Sequence, residues 1–405
     1  MTVAAGARRA VPPGREEPNV SGPTILIVTG EASGDLHGAE LARALLLQQP
    51  DLRILGMGAE KMKGAGVELV FDNRQLGVMG LVEVFQRWRS VLRAFEAVKE
   101  VLMNRGVDLV VLIDSPDFNL RVAKLAKRMA IPTVYYIGPK VWAWRAGRLK
   151  TIKKWVDRML VIFPFEEPLY REAGVPCEFV GHPLLDEIPP TLNRGELRRR
   201  YEISDDAVVV ALLPGSRRME IDRLLDRMTE AFRRIRTGLP SVIGIVPVAP
   251  SLSMSEIRRK LFGRADGLRL VSGDAPQVLA CADFAVVASG TATLEAAVVG
   301  TPMVIVYKVA PLTMLLARLL VKIRSAGLVN ILAGRVVTPE LLQSNATPER
   351  IAEVVLDHLR DPAKMKEQRK SLEEVRQKLG SPGAAHRAAA SILKILFQTT
   401  RTVTA

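Results

Sequence analysis

With 405 residues, 48% of them hydrophobic and 25% charged, the chain is long enough for two hydrophobic cores and too apolar for wholesale disorder. Its net charge of +14 calls for an anionic partner such as a phosphorylated substrate, a membrane surface or nucleic acid, although no helix-turn-helix, zinc-finger or RNA-recognition motif accompanies the charge. The two cysteines, Cys177 and Cys281, show no paired spacing, which excludes a zinc knuckle and a disulfide framework and points to a reducing compartment.

Residues 1–22 mix arginines, prolines and acids without an apolar core and read as a disordered tail rather than a signal peptide. No later stretch holds the roughly 20 consecutive apolar residues that span a bilayer, so a cytoplasmic protein is expected. Ile25 to Val28 form a continuous apolar run, as in a strand buried on both faces. The turn Gly30 to Asp35 follows, and then a helical pattern through Leu41, Leu45 and Leu46. Asp108 to Ile113, Pro132 to Ile137 and Met159 to Ile162 repeat the strand, with helical patterns between them. Prolines 183, 189 and 190 mark a linker, after which strands recur at 207–213, 242–248, 284–287 and 302–306. Thr347, Pro348 and Glu349 read as a helix start, and a break at 380–383 precedes a last helix from about Ala384 to Phe397. Strands alternating with helices give two doubly wound α/β halves, expected at 23–188 and 189–346, with C-terminal helices over 347–405. A ligand belongs at the carboxyl ends of such strands, in the cleft between the halves.

Four loops carry candidate chemistry. Gly30 to Asp35 is neither a dinucleotide fingerprint nor a P-loop, and its acids, Glu31 and Asp35, suit sugar hydroxyls better than phosphates. As plain structure it is a tight turn capped by Ser33 or Asp35. Asp114 and Asp117 stand at a strand's end around the stiffening Pro116; Asp114 is the candidate general base and Asp117 a helix cap. Gly215, Ser216 and Arg217 also leave a strand end, where an arginine can hold a phosphate through two parallel hydrogen bonds. Ser289, Gly290 and Thr291 open a helix, whose free N–H groups and partial positive charge favour a diphosphate. Glu295, one turn in, is placed to accept ribose hydroxyls; the plainer reading is a Ser/Thr-capped helix with a first-turn acid. His37 and His182 have no spacing that suggests a metal site and read as structural.

These segments together resemble one family, the lipid-A-disaccharide synthases, from Thr24 to about Gln343. The resemblance rests on Gly30 to Asp35, Val78 to Gly80, Ile113 to Asn119, Val141 to Arg145, Phe179 to His182, Leu213 to Arg217, Ala288 to Thr291 and Asn330 to Arg335. It implies a GT-B fold, two Rossmann-like domains facing each other across a cleft, and an inverting, metal-independent glycosyltransferase without a cofactor. The implied reaction transfers 2,3-diacylglucosamine from its UDP conjugate to the 6′-hydroxyl of 2,3-diacylglucosamine 1-phosphate. Asp114 matches the family's base and Arg217 its essential arginine. Gly215, Ser216, Ser289, Gly290, Thr291, Glu295 and Asn330 fall on the donor side. Glu31, Ser33, Gly34 and Asp35 fall on the acceptor side. The sequence departs from the family's pattern at Gly138 and Lys140, before Trp142, and at Val336.

Val82, Phe85, Trp88, Val91 and Leu92 recur at helical spacing among Arg87, Arg89 and Arg93. A core-facing stripe is the plain reading. The family resemblance implies a membrane-contacting patch here, hence peripheral association with the inner face of the inner membrane, and 311–323 is a second such segment. A homodimer through the C-terminal helices is a further expectation. Two other readings remain: another UDP-sugar enzyme of the same fold, such as an epimerase, or a non-enzymatic protein binding a membrane or nucleic acid through the basic run Lys140 to Arg158.

Overall fold

The computed structural model describes residues 22–76, 83–143, 147–309 and 325–403. The first sheet contains β1 (Thr24–Thr29), β2 (Arg53–Gly58), β3 (Glu68–Asp72), β4 (Leu109–Ile113), β5 (Thr133–Tyr136), β6 (Arg158–Val161) and β7 (Cys177–Phe179). Its spatial order is β3-β2-β1-β4-β5-β6-β7. The second contains β8 (Val209–Leu213), β9 (Ile243–Val248), β10 (Leu268–Ser272), β11 (Phe284–Ala288), β12 (Met303–Tyr307) and β13 (Glu340–Leu342), ordered β10-β9-β8-β11-β12-β13. Every pairing in both sheets is parallel.

Helices cover both faces of each sheet, so the central strands are apolar without alternation. Every residue of β1, β4, β8 and β11 is buried. Successive side chains still divide between two cores, as the strand period requires. Ile25 and Ile27 pack with Leu41 and Leu45, whereas Leu26 and Val28 pack with Ala94 and Val98. The second sheet divides likewise, with Val209 and Ala211 on one side and Val210 and Leu212 on the other.

The turn expected over Gly30 to Asp35 is shorter than the sequence suggests. A helix, Ala32–Gln48, begins within it, with Glu31 at its N-cap position and no side-chain cap. Asp35 instead caps a neighbour, the helix Glu60–Gly64.

The two halves are tied together at the linker and the C-terminus. Phe163, Leu184, Leu185 and Ile188 join the core of the second half beside Val209 and Leu379. The last helix, Ala384–Val403, returns to the first half, where Ala388, Ala389, Ile392 and Leu396 pack with Leu41 and Leu45. Its entry is fixed by the Asp186 carboxylate, which accepts from the N–H groups of Gly383 (2.5 Å) and Ala384 (3.0 Å). Asp186→Ala removes that cap and is expected to lower stability by about 1–2 kcal/mol, measured by urea denaturation. An unchanged midpoint would show that the last helix is held by packing alone.

Candidate active site

Ligands of open α/β sheets bind where the strand order reverses, outside the carboxyl ends of the strands. In the first sheet the reversal lies between β1 and β4, whose last residues, Thr29 and Ile113, are paired. The loops at Gly30 and Asp114 therefore leave side by side. A Cβ on Gly30 would lie 2.2 Å from Ser115 Oγ, so only glycine permits this approach. In the second sheet the reversal lies between β8 and β11, paired through Leu213 and Val287. The loops carrying Arg217 and Ser289 leave from that point. All four sequence-selected loops thus fall at the two switch points.

Asp114 is held in an unfavourable backbone state. Its φ is 53° and that of Ser115 is 44°, left-handed values that cost non-glycine residues about 1–3 kcal/mol each. Buried anchors hold it there. The Asp114 carbonyl accepts from Asn119 Nδ2 (2.7 Å) and Tyr135 Oη (2.5 Å), and its N–H donates to the Ile137 carbonyl (3.2 Å). The Asp114 carboxylate has no hydrogen-bond partner among the described residues, which leaves it available to take a proton. Asp117 does not cap the following helix. That helix, Pro116–Arg128, has Ser115 at its N-cap position, and Asp117 sits in its first turn in an ion pair with Arg148.

On the same edge, Glu31 and Ser33 are exposed, and Gly34 packs against Thr29. Asp35 is withdrawn from the cleft. It is 5% exposed, and its carboxylate accepts from the N–H groups of Ala59 (2.6 Å), Lys61 (3.1 Å) and Met62 (3.2 Å). The expected contact with a sugar hydroxyl is corrected to a helix-capping role, because its acceptor positions are already filled.

On the second sheet, Ser289 Oγ donates to the Ala326 carbonyl (2.7 Å) and Thr293 Oγ1 to the Gly290 carbonyl (2.8 Å). Neither hydroxyl caps the helix Thr291–Val299, contrary to the plainer expectation. The N–H groups of Gly290, Thr291 and Ala292 have no acceptor among the described residues, and a Cβ on Gly290 would meet nothing within 4 Å. This helix start is open to an anion. Burial pushes the Glu295 carboxyl up to about 7, and the charge of Glu187 adds to the effect.

Arg217 stands at the start of the helix Arg218–Gly238, its side chain 73% exposed. Glu220 accepts from the N–H groups of Ser216 (2.9 Å) and Arg217 (3.2 Å), folding the loop tightly, and its other carboxylate oxygen lies 3.7 Å from the exposed Arg217 guanidinium. Gly215, at φ 115°, is required there, since a Cβ would meet Glu220 Oε2 at 2.3 Å.

Asn330 requires a second correction. It is 2% exposed, donates to the Thr338 carbonyl (2.8 Å) and Glu340 Oε1 (2.7 Å), and accepts from the N–H groups of Val337 (2.8 Å) and Thr338 (3.0 Å). A saturated amide has nothing to offer a nucleotide. Its effect is indirect: Glu340 also accepts from the N–H groups of Ala326 (2.8 Å) and Gly327 (3.0 Å), fixing the turn on which Ser289 docks. Sequence reasoning missed Glu340, which carries no motif, and Tyr135, which reads as ordinary strand core.

The fold also assembles groups that sequence spacing did not connect. His37 Nδ1, itself without a hydrogen-bond partner, lies 3.5 Å from Glu187 and 3.9 Å from Glu40. One ligand atom from each of the three falls within 4.8 Å of the others, the arrangement among the described residues with the chemistry to hold a cation. His182 is structural. Its Nδ1 accepts from the Leu184 N–H (3.1 Å), and burial first, then His37, brings its pKa down to about 3, so it stays neutral. Glu166 accepts from Trp142 Nε1 (3.0 Å) and the Phe163 N–H (3.2 Å), and burial pushes it up to about 7.

Of the apolar stripe, Val82 and the side chains of Phe85 and Trp88 lie outside the described residues, as do residues 311–323. Val91 is half-buried and Leu92 is 46% exposed on the helix Glu83–Asn104, which turns Ala94, Val98 and Leu102 into the core. No described helix is long and apolar enough to cross a membrane.

Two facing parallel sheets with paired loops at both switch points define the GT-B class of sugar-nucleotide enzymes. Solved structures of that shape include a UDP-N-acetylglucosamine 2-epimerase from Neisseria meningitidis bound to UDP-GlcNAc (TM-score 0.61, 12% identity, 92% of this chain and all of that one). The glycosyltransferase of kitacinnamycin is another (TM-score 0.62, 16% identity, 92% and 99%). Identities this low establish the fold alone. The family model described as lipid-A-disaccharide synthetase matches residues 25–395. The chain is 47% identical to a lipid-A-disaccharide synthase of Myxococcus xanthus over 92% of its own length and 98% of that protein. It is 41% identical to that of Coxiella burnetii (strain CbuG_Q212) over 93% and 100%. The chain belongs to the lipid-A-disaccharide synthase family and is a glycosyltransferase of lipid A biosynthesis. The epimerase and non-enzymatic readings fall away.

Two outcomes follow from the site's construction. Asn330→Ala is expected to cost about 1–3 kcal/mol of stability in the ligand-free protein, measured by denaturation, because it strands buried partners. The second concerns Glu166. With its pKa raised from 4.5 to about 7, the folded chain holds this proton more tightly than the unfolded chain does. The contribution of this group to stability is then full below 4.5 and is lost as pH rises through 7. Denaturation of Glu166→Gln across that window should show a shallower slope, by up to about one proton. An identical slope would refute the assignment.

Proposed function

We propose that this chain transfers 2,3-diacylglucosamine from UDP-2,3-diacylglucosamine to the 6′-hydroxyl of 2,3-diacylglucosamine 1-phosphate. The products are the β-1′,6-linked disaccharide 1-phosphate and UDP. The observation that carries the mechanism is the pairing of a free carboxylate at one switch point with an unfilled helix start at the other. Asp114 takes the proton of the acceptor hydroxyl while its oxygen bonds to the anomeric carbon. The bond from that carbon to the diphosphate breaks on the opposite face, inverting the centre. The charge arriving on UDP is met by the N–H groups of Gly290, Thr291 and Ala292 and by Arg217 on its Gly215-Ser216 loop, while Ser289 holds the donor loop in place through its hydrogen bond to the Ala326 carbonyl. Glu295 receives the ribose hydroxyls. Glu31, Ser33 and Gly34 line the acceptor side.

The substrates carry acyl chains, and the outer face of Glu83–Asn104 is the surface we assign to the bilayer. It shows Leu92 beside the exposed Arg89 and Arg93, a pairing suited to an anionic surface. This reading puts the enzyme on the inner face of the inner membrane. It also takes 23–188 as acceptor domain, 189–346 as donor domain and 347–405 as a closing segment. That closing segment meets the acceptor domain where Gln48 Nε2 donates to the His386 carbonyl (3.0 Å), a contact that serves equally within one chain or between two copies that exchange it.

Asp114→Asn keeps the shape and removes the base. Transfer is expected to fall about 10²–10⁴-fold, measured as UDP release, with UDP affinity unchanged. Undiminished turnover would remove Asp114 from the mechanism, and equal turnover of unacylated donor would remove the substrate assignment.

A further inference from the structure

The helix Thr291–Val299 has the Ser289 loop at one end and a cavity of about 530 Å³ at the other. Four segments wall it: the linker from Leu185 to Arg194, the end of the helix Ala275–Cys281 with Ala282, the turn from Val298 to Pro302, and the helix Pro362–Lys378 with the turn after it. A nine-residue helix is about 14 Å long, so this cavity is separate from the donor loops. Its volume is that of a small-molecule site.

The lining is divided. Ile188, Leu192, Val298 and Val299 give it an apolar floor, and Gly300 opens it further, since a Cβ there would meet nothing within 4 Å. Three arginines face one acid, Glu373. Arg194 is already engaged by Asp283 (2.6 Å) and the Ala282 carbonyl (3.0 Å). Arg376 lies 3.7 Å from Glu373. Arg369 has no acid partner among the described residues. An uncompensated guanidinium over an apolar floor suits a ligand with one anionic end and one aliphatic end.

We propose that this cavity is a second ligand site, for an amphiphilic anion: a phosphate monoester or carboxylate on an aliphatic body. Arg369 and Arg376 hold the anion, and Ile188, Leu192 and Val299 hold the chain.

The test uses octyl phosphate, below its micelle concentration, titrated calorimetrically into the full chain. Arg369→Glu alters an exposed helix position and leaves the fold intact, which its melting temperature checks. It should weaken octyl phosphate at least about tenfold, the value of a charged hydrogen bond, while Arg217→Ala leaves that binding unchanged. Binding lost in Arg217→Ala but kept in Arg369→Glu would place the probe on the donor loop and overturn the proposal. Inorganic phosphate binding as tightly as octyl phosphate would reduce the site to a free-anion site, and octanol binding equally would remove the anion; either overturns the assignment. So would the absence of any binding.

Discussion

Every strand in both sheets runs parallel to its neighbours, and the rest of the molecule depends on that constraint. A parallel strand cannot return through a tight turn, so each connection crosses a face of the sheet. The strand-to-helix loops therefore all emerge on one edge, and those flanking the reversal of strand order are the ones with room between them. Asp114 and Arg217 are not neighbours because of any local affinity. The topology delivers each to the one place on its sheet where a ligand fits.

The burial that parallel strands demand also makes the site rigid. Two successive residues at positive φ are tolerable after β4 because Tyr135 and Asn119, both fully buried, grip the Asp114 carbonyl from neighbouring elements. The donor loop is fixed by a longer route, from Asn330 through Glu340 and the 326–327 turn to Ser289. In both cases a buried polar chain holds backbone, which leaves the Asp114 carboxylate free on one sheet and the N–H groups of Gly290 to Ala292 free on the other. The basic run after Lys140 is in part engaged in surface contacts: Arg148 pairs with Asp117, Arg158 with Glu178, and Lys154 lies 4.7 Å over the Trp155 ring.

Legibility followed burial. The strands read from sequence, β1, β4, β5, β6, β8, β9, β11 and β12, include every fully buried one. Those missed are the edges, β3, β7, β10 and β13, which are short or half-exposed, and β2. In β2, Gly56 interrupts the apolar run because Val67 and Met62 occupy the space of its side chain. At the site, loops that announce themselves by glycine and charge at strand ends were legible. Asp35 and Asn330 were misassigned because a motif shows which residue is present, not whether its hydrogen-bond capacity is already filled. The His37, Glu40 and Glu187 cluster was invisible because its members lie on segments about 150 residues apart in sequence.

The last helix gives the chain a temporal order. Ala388, Ala389 and Ile392 belong to the same core as Ile25 and Ile27, so a strand made early is finished by a helix that follows the whole second half in the chain. During synthesis the apolar flank of Ala32–Gln48 stands uncovered while the whole second half is translated and folds. The second half is complete before that helix emerges; the first waits for it. A nascent chain stalled or cleaved before residue 384 would leave the ribosome with that flank still open to water and to chaperones.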